Sequence, residues 1–369
     1  MLVGGLDHAN AKKVDTEKLR CGHPVRGPAA DSSGAVHSAR LDRRMSMRIR
    51  RSITTAIVLA LATTTAGMTW REGPAPTLRR THPSGSRNRR VHGYLGRPFG
   101  IHVTSKGAIL VTQQDVNVMK KLDPISGSHS FEVGEDPGDV VATRDGEVAY
   151  VSGFLDGSIT VVRLAGDTIS DFFRLPTKSA YRLALSPNER RLYVSSTDGR
   201  LYVFNTATRT VATSKLLGGS LQGLAIDHAG ARLYVSSTAG DVWRLERGTL
   251  RSLRQTTLDC AAQDIALSND DRELYVACEK GNVVVLDART LEQRDVIPLG
   301  AAFGLGVTPD GEQLYVSSPS DGDVAIIELE TRKIVGHVSV QGTPRRIAFS
   351  PSGDQAYVTN EWNWLSVIE

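Results

Sequence analysis

Two carboxylates and two guanidiniums recur at one depth of a repeating unit. Asp139, Arg182, Asp264 and Arg346 share an aligned position with Gly100, Gly223 and Gly304. A pair of arginines so placed can grip a carboxylate or phosphate bidentately. An aspartate beside them can act as a general base on water, with the arginines stabilising a developing oxyanion. The same four charges can also neutralise one another and hold no ligand. The preceding position carries Phe99, Gly138, Tyr181, Gln222, Gln263, Phe303 and Arg345, which adds Tyr181 and Arg345 to the candidates. Two positions beyond the first set stand His102, Val141, Ala184, Ala225, Ala266, Gly306 and Ala348. Most of these are small, as strands converging on an axis require. His102 breaks the rule, either as a packed histidine or as a further candidate base.

A second cluster is Asn360-Glu361-Trp362-Asn363-Trp364. Trp362 and Trp364, two apart in a polar link, suit a sugar, peptide or protein surface if one of them points outward. Phe154 lies in a comparable link and extends such a surface. The catalytic candidates are thus Asp139, Asp264 and His102. The ligand-binding candidates are Arg182, Arg346, Arg345, Tyr181, Asp139, Asp264, Trp362 and Trp364. No cofactor or metal is called for. The chain has no Cys-x-x-Cys-His for covalent haem, no paired histidine spacing for zinc and no Gly-x-Ser-x-Gly elbow.

What must hold these residues is a repeat. Tyr-Val or a close substitute occurs at Leu110-Val111, Tyr150-Val151, Tyr193-Val194, Tyr234-Val235, Tyr275-Val276, Tyr315-Val316 and Tyr357-Val358. The steps are 40, 43, 41, 41, 40 and 42 residues, a period that marks a repeat array. Each period holds four runs rich in β-branched and aromatic residues, bounded by turn chemistry such as Pro309-Asp310-Gly311. Four strands per unit of about forty residues make one blade of an all-β propeller with a WD40-like repeat, and seven marks predict seven antiparallel blades. The last unit reaches Glu369 on its third strand. Val91-His92-Gly93-Tyr94-Leu95-Gly96 aligns with fourth-strand segments such as Val338-Ser339-Val340-Gln341-Gly342. The N-terminal segment is therefore expected to complete the last blade and close the ring, removing two exposed strand edges.

Tyr357-Val358-Thr359-Asn360-Glu361, preceded by Ser350-Pro351-Ser352-Gly353, resembles the YVTN-repeat seven-bladed propellers, the YncE-like and surface-layer-type family. The resemblance spans residues 91 to 369. It implies the propeller fold and an extracytoplasmic binding or scaffold role. Seven-bladed lactonases are similar at the level of the repeat, which keeps a hydrolase open as the alternative. Propellers of amine-dehydrogenase-like systems keep open a subunit serving a redox partner.

The formal charge of +4 divides unevenly. Residues 1 to 90 hold 17 Lys/Arg and 6 Asp/Glu, a balance of +11, while residues 91 to 369 hold 27 and 34, a balance of −7. An acidic propeller has no bulk attraction for phosphate backbones, which weighs against nucleic acid. Residues 1–44 read as a disordered leader or a misassigned start, and residues 45–67 as a signal peptide or N-terminal anchor. Arg48, Arg50 and Arg51 form its basic flank, an apolar run follows from Ile53 to Ala62, and Thr64-Thr65-Ala66 supplies small residues for cleavage. Residues 68–89, with Pro74, Pro76 and Pro83, read as a flexible linker, and residues 90–369 as the propeller. Export to the periplasm or beyond follows, with membrane contact only through an uncleaved N-terminal segment. In that compartment Cys260 and Cys278, at one end of one blade, can form a disulfide or simply pack as small residues. The reading as a whole is a noncatalytic exported binding or scaffold module. It meets a protein partner or a small anionic ligand through its top face and channel mouth.

Overall fold

The computed structural model describes residues 88–92 and 96–369; the expected leader, export segment and nearly all of the linker lie outside the described residues. The described chain forms seven sheets of four antiparallel strands. Six are built from consecutive strands; blade 1, for example, runs Pro98–Val103, Ile109–Gln113, Val118–Asp123 and Gly127–Glu132. The seventh takes Pro344–Phe349, Ala356–Asn360 and Trp364–Ile368 from the C-terminal end and Asn88–His92 from the other. This is the all-β seven-bladed propeller that the repeat predicts, closed by an N-terminal strand. Among the described residues the single helix is a 3-10 turn, Gln114–Val116.

The Tyr-Val mark is an inter-blade contact. Side chains alternate across a strand, so the tyrosine and valine face opposite neighbours. Tyr150 packs with Leu183, Leu192 and Val194 of blade 3, while Val151 packs with Leu110 and Met119 of blade 1. The pattern repeats around the ring as far as Tyr357, which meets Ile101 and Val111 of blade 1. All seven valines of the marks are fully buried. Each such burial contributes roughly 1.5–3 kcal/mol, which is why the mark tolerates so little variation.

The residue after Tyr-Val has a different task. First and second strands lose register at their upper ends in several blades, as between Pro137 and Asp139 or Pro344 and Ile347. A backbone N–H released there needs another acceptor. It finds the hydroxyl of Thr112, Ser152, Ser195, Ser236, Ser317 or Thr359, at 2.7–3.1 Å from the nitrogens of Gly100, Asp139, Arg182, Gly223, Gly304 and Arg346. Four of these hydroxyls donate onward to a backbone oxygen of the next blade: Tyr181, Gln222, Arg345 and, across the ring closure, Phe99. The third residue of the motif is therefore a latch between blades. Its nitrogen partner is, six times out of seven, the aligned position on which the candidate site rests. Blade 5 has Ala277 there and so has no hydroxyl latch.

The closing strand begins earlier than the alignment places it. Hydrogen bonding pairs Asn88 with Ile368 and ends with His92 against Trp364, so the segment aligned from Val91 is only the tail of the strand. Asn88 and Arg89, expected in the linker, belong to the sheet. Their neighbours explain the extension. The Asn88 side-chain amide donates to Ser339 O of blade 6 at 2.8 Å, and the Arg90 guanidinium lies 4.4 Å from the Trp364 ring centroid.

Candidate functional site

The aligned charges meet above the channel. Arg182 bridges two aspartates, donating from Nη1 to Asp139 Oδ1 at 3.3 Å and from Nη2 to Asp264 Oδ1 at 3.1 Å. Arg346 Nη1 lies 2.8 Å from Asp264 Oδ2, and its Nη2 donates to the Tyr181 hydroxyl at 3.1 Å. Each aspartate also reaches the following blade: Leu183 N donates to Asp139 Oδ2 and Leu305 N to Asp264 Oδ2. Those two blades have the shortest innermost strands, Leu183–Leu185 and Leu305–Val307. The carboxylates thus take the first amide of each of these strands.

This cluster joins blades 2, 3, 5 and 7, and all of it but the part-exposed Arg182 is buried. Asp139, Asp264 and Arg346 are 2%, 1% and 2% exposed. Burial lifts the Asp139 carboxyl above its usual range against the pull of Arg182 and the Leu183 amide. Burial also opposes the charge on Arg346, but Asp264, with Tyr181 and Asp139, outweighs it and leaves the guanidinium more firmly protonated than usual. Phe99, Tyr181 and Phe303 form a lid over the cluster, with Arg346 5.0 Å from the Phe303 centroid. Phe154 joins that lid edge-on to Tyr181, at 5.4 Å between centroids, and is packed there on the rim of the top face. Of the two roles open to these four charges, ligand clamp or mutual neutralisation, the geometry has them paired with one another.

Below the plug the first strands converge on the channel axis. The seven aligned positions that include His102 and Ala184 are all part-exposed, although their strands are covered on both faces, so the axial lumen is their route to solvent. His102 lines that lumen, and burial pushes its imidazole down to about 4. An unfolded histidine takes up its proton near pH 6.5, so the native state binds fewer protons between the two values. His102 therefore contributes stability that is present above about pH 6.5 and lost as pH falls towards about 4. His102→Gln should flatten the acid limb of the stability profile, recovering about 2–3 kcal/mol at pH 4 relative to pH 7. Urea unfolding at the two pH values reads this directly; identical acid limbs would show that His102 titrates normally.

The accessible chemistry lies beside the lid. A cavity of about 500 Å³ opens on the top face among Glu279, Lys280, Phe303, Pro319, Ser320 and Arg345. Arg345 is stacked 4.4 Å from the Phe303 centroid, and its Nη2 donates to Glu361 at 3.1 Å. Glu361 is also 3.5 Å from Arg97 of the entry to blade 1. Trp362 follows and is 64% exposed, whereas Trp364 is buried under Arg90 with Trp362 edge-on to it at 6.2 Å. Of the two tryptophans, only Trp362 presents a surface.

Its mount is the last residue of the motif. Asn360 is fully buried; its Oδ1 accepts from Thr343 N at 3.0 Å and Trp362 N at 3.2 Å, and its Nδ2 donates to Gln341 O. The chain passes so close here that a Cβ on Gly342 would collide with the Asn360 amide, and Gly342 has φ 59°. Only glycine meets both demands at once. On the other side of the cavity, Cys260 and Cys278 are joined as a disulfide. It fixes the start of the tight link in which Glu279 N donates to Ala261 O at 3.1 Å and Lys280 follows.

Sequence reasoning missed Phe303, Lys280 and Glu279 as a common wall. Their cavity is assembled by links of three blades, and no linear spacing signals it. Among the described residues, no group of three or more His, Cys, Asp or Glu side chains is arranged to hold a metal ion. Compared with known proteins, the chain matches no family model and no curated protein.

Proposed function

We propose that the chain is an exported, noncatalytic binding or scaffold module of the YVTN-repeat kind that docks a partner on its top face. The observation that carries this reading is Trp362. A large aromatic ring is held out to solvent on a link whose backbone is fixed by a buried asparagine, one residue after Glu361, which pairs with Arg345 of the charged cavity. Rigid exposed tryptophans are the residues on which docking energy concentrates. The basic flank and apolar run after Met45 support export, and the Cys260–Cys278 disulfide fits an oxidising compartment. The hydrolase alternative needs Asp139, Asp264 or His102 as its base. Both aspartates already accept from a guanidinium and a backbone amide beneath the aromatic lid, burial pushes the His102 imidazole down to about 4 and makes it a weak base, and no observation favours the redox-subunit role.

The test is capture of proteins from the exported fraction by the immobilised chain. Trp362→Ser should lower recovery of a stoichiometric partner about tenfold or more, as the loss of a central aromatic anchor does. Equal recovery by wild type and variant would remove the docking role from this face.

A further inference from the structure

We propose that the cavity beside the lid is a recognition site for a single carboxylate attached to an apolar side chain, with Lys280 and Arg345 holding the carboxylate and Phe303 the apolar group. This rests on the top-face reading and names the chemistry that the face selects. Two cations and one carboxylate line the cavity, and Glu361 behind it already pairs with Arg345, so a monoanion would meet Lys280 as the cation with no counter-charge bound to it. Lys280 makes no ion pair or hydrogen bond among the described residues, and Arg345 commits its Nη2 to Glu361 while its buried Nε has no hydrogen-bond partner among them. The guanidinium does not need a ligand to be held in place. Stacking on Phe303 and the pair with Glu361 orient it beforehand, so little side-chain entropy is lost on binding. At Lys280 only the backbone is fixed, by the link that follows the disulfide; its exposed side chain is free to swing over the cavity.

The remaining walls define the rest of the ligand. Pro319, Ala301 and the small part of the Phe303 ring that Arg345 leaves open are apolar and suit an aromatic or branched side chain. Glu279, whose Oε2 accepts from Gln263 Nε2 at 2.8 Å, places a negative charge in the wall. A phosphate dianion would be repelled by it, whereas a monocarboxylate is offset by the two cations. An α-carboxylate next to an apolar side chain has this chemistry, whether as a free N-blocked amino acid or as the last residue of a peptide. A cavity of about 500 Å³ takes one such residue and part of the next.

Ligand-observed NMR titration of the intact chain with N-acetylphenylalanine and with N-acetylphenylalaninamide tests the carboxylate directly. The acid should bind at least tenfold more tightly than the amide, and Lys280→Gln should erase most of that difference. Lys280 is exposed and without a partner, so this variant folds as wild type does. Arg345→Gln should remove the remainder. A peptide of three glycines ending in phenylalanine separates the two sources: tighter binding than N-acetylphenylalanine assigns the site to chain ends, and equal binding assigns it to free acids. Equal affinities for acid and amide, or acid binding that survives Lys280→Gln and Arg345→Gln together, would overturn the proposal. Trp362→Ser capture reads the parent hypothesis separately. Loss of capture with no carboxylate preference ends this inference alone; carboxylate binding with no Trp362 dependence ends the docking reading instead.

Discussion

Asp264→Asn is expected to cost the propeller about 3–5 kcal/mol at pH 7, because it leaves the buried Arg346 without a counter-charge and the part-exposed Arg182 with only one. Asp264 is the hub of the plug, holding Arg182 through one oxygen and Arg346 and the Leu305 amide through the other. An asparagine keeps the shape but loses the charge and turns an NH₂ towards one of the cations. Arg346 cannot relieve the strain by deprotonating, since a guanidinium stays protonated far above neutral pH even without a counter-charge. Nor can it turn outward past Phe99, Tyr181 and Phe303. Asp139→Asn should be milder, because Asp139 holds one guanidinium rather than two and burial already disfavours its charge. Urea unfolding of the two variants beside wild type makes the comparison. A loss under about 1 kcal/mol for Asp264→Asn would mean that the four charges are not a structural brace. A catalytic base in its place would show the reverse pattern, an intact fold with lost turnover.

How far this site could be read in advance follows from where its information lies. A fixed step of about forty residues puts Asp139, Arg182, Asp264 and Arg346 at one depth, because equivalent positions of a ring are equidistant from its axis. Which of them touch is a different matter. Arg182 meets the aspartate of its neighbour and that of a blade two further on, while Arg346 reaches across to blade 5. These choices depend on side-chain length and on the glycines at the other three positions, which leave the room that the arginines fill. Tyr181 shows the same limit. It is recognisable as a residue of the mouth, yet its part in the lid depends on Phe99 and Phe303 arriving from other blades. The Trp362-Asn363-Trp364 segment was legible as unusual, but only the pairing of Trp364 with the closing strand decides which ring is left outside.

That closing strand sets the second large effect. A chain shortened to begin after His92 leaves the outer strand of blade 7, Trp364–Ile368, as a bare edge. Five residue pairs are lost, and the hydrogen bonds they make contribute about 1 kcal/mol each. The Asn88 bond to Ser339 and the stacking of Arg90 on Trp364 go with them, the latter being worth about 0.5–2 kcal/mol. A loss of about 6–8 kcal/mol is expected, a large share of the stability of an ordinary domain. The exposed edge also offers unpaired N–H and C=O groups to a second molecule. Thermal melts and sedimentation at two concentrations should therefore show a lowered midpoint together with concentration-dependent association. A monomer with an unchanged midpoint would show that blade 7 is complete without its N-terminal strand. The top face should suffer as well, since Trp364 supports Trp362 and the buried Asn360 ends the adjoining strand. Partner capture by the shortened chain should fall even at temperatures where the other six blades hold.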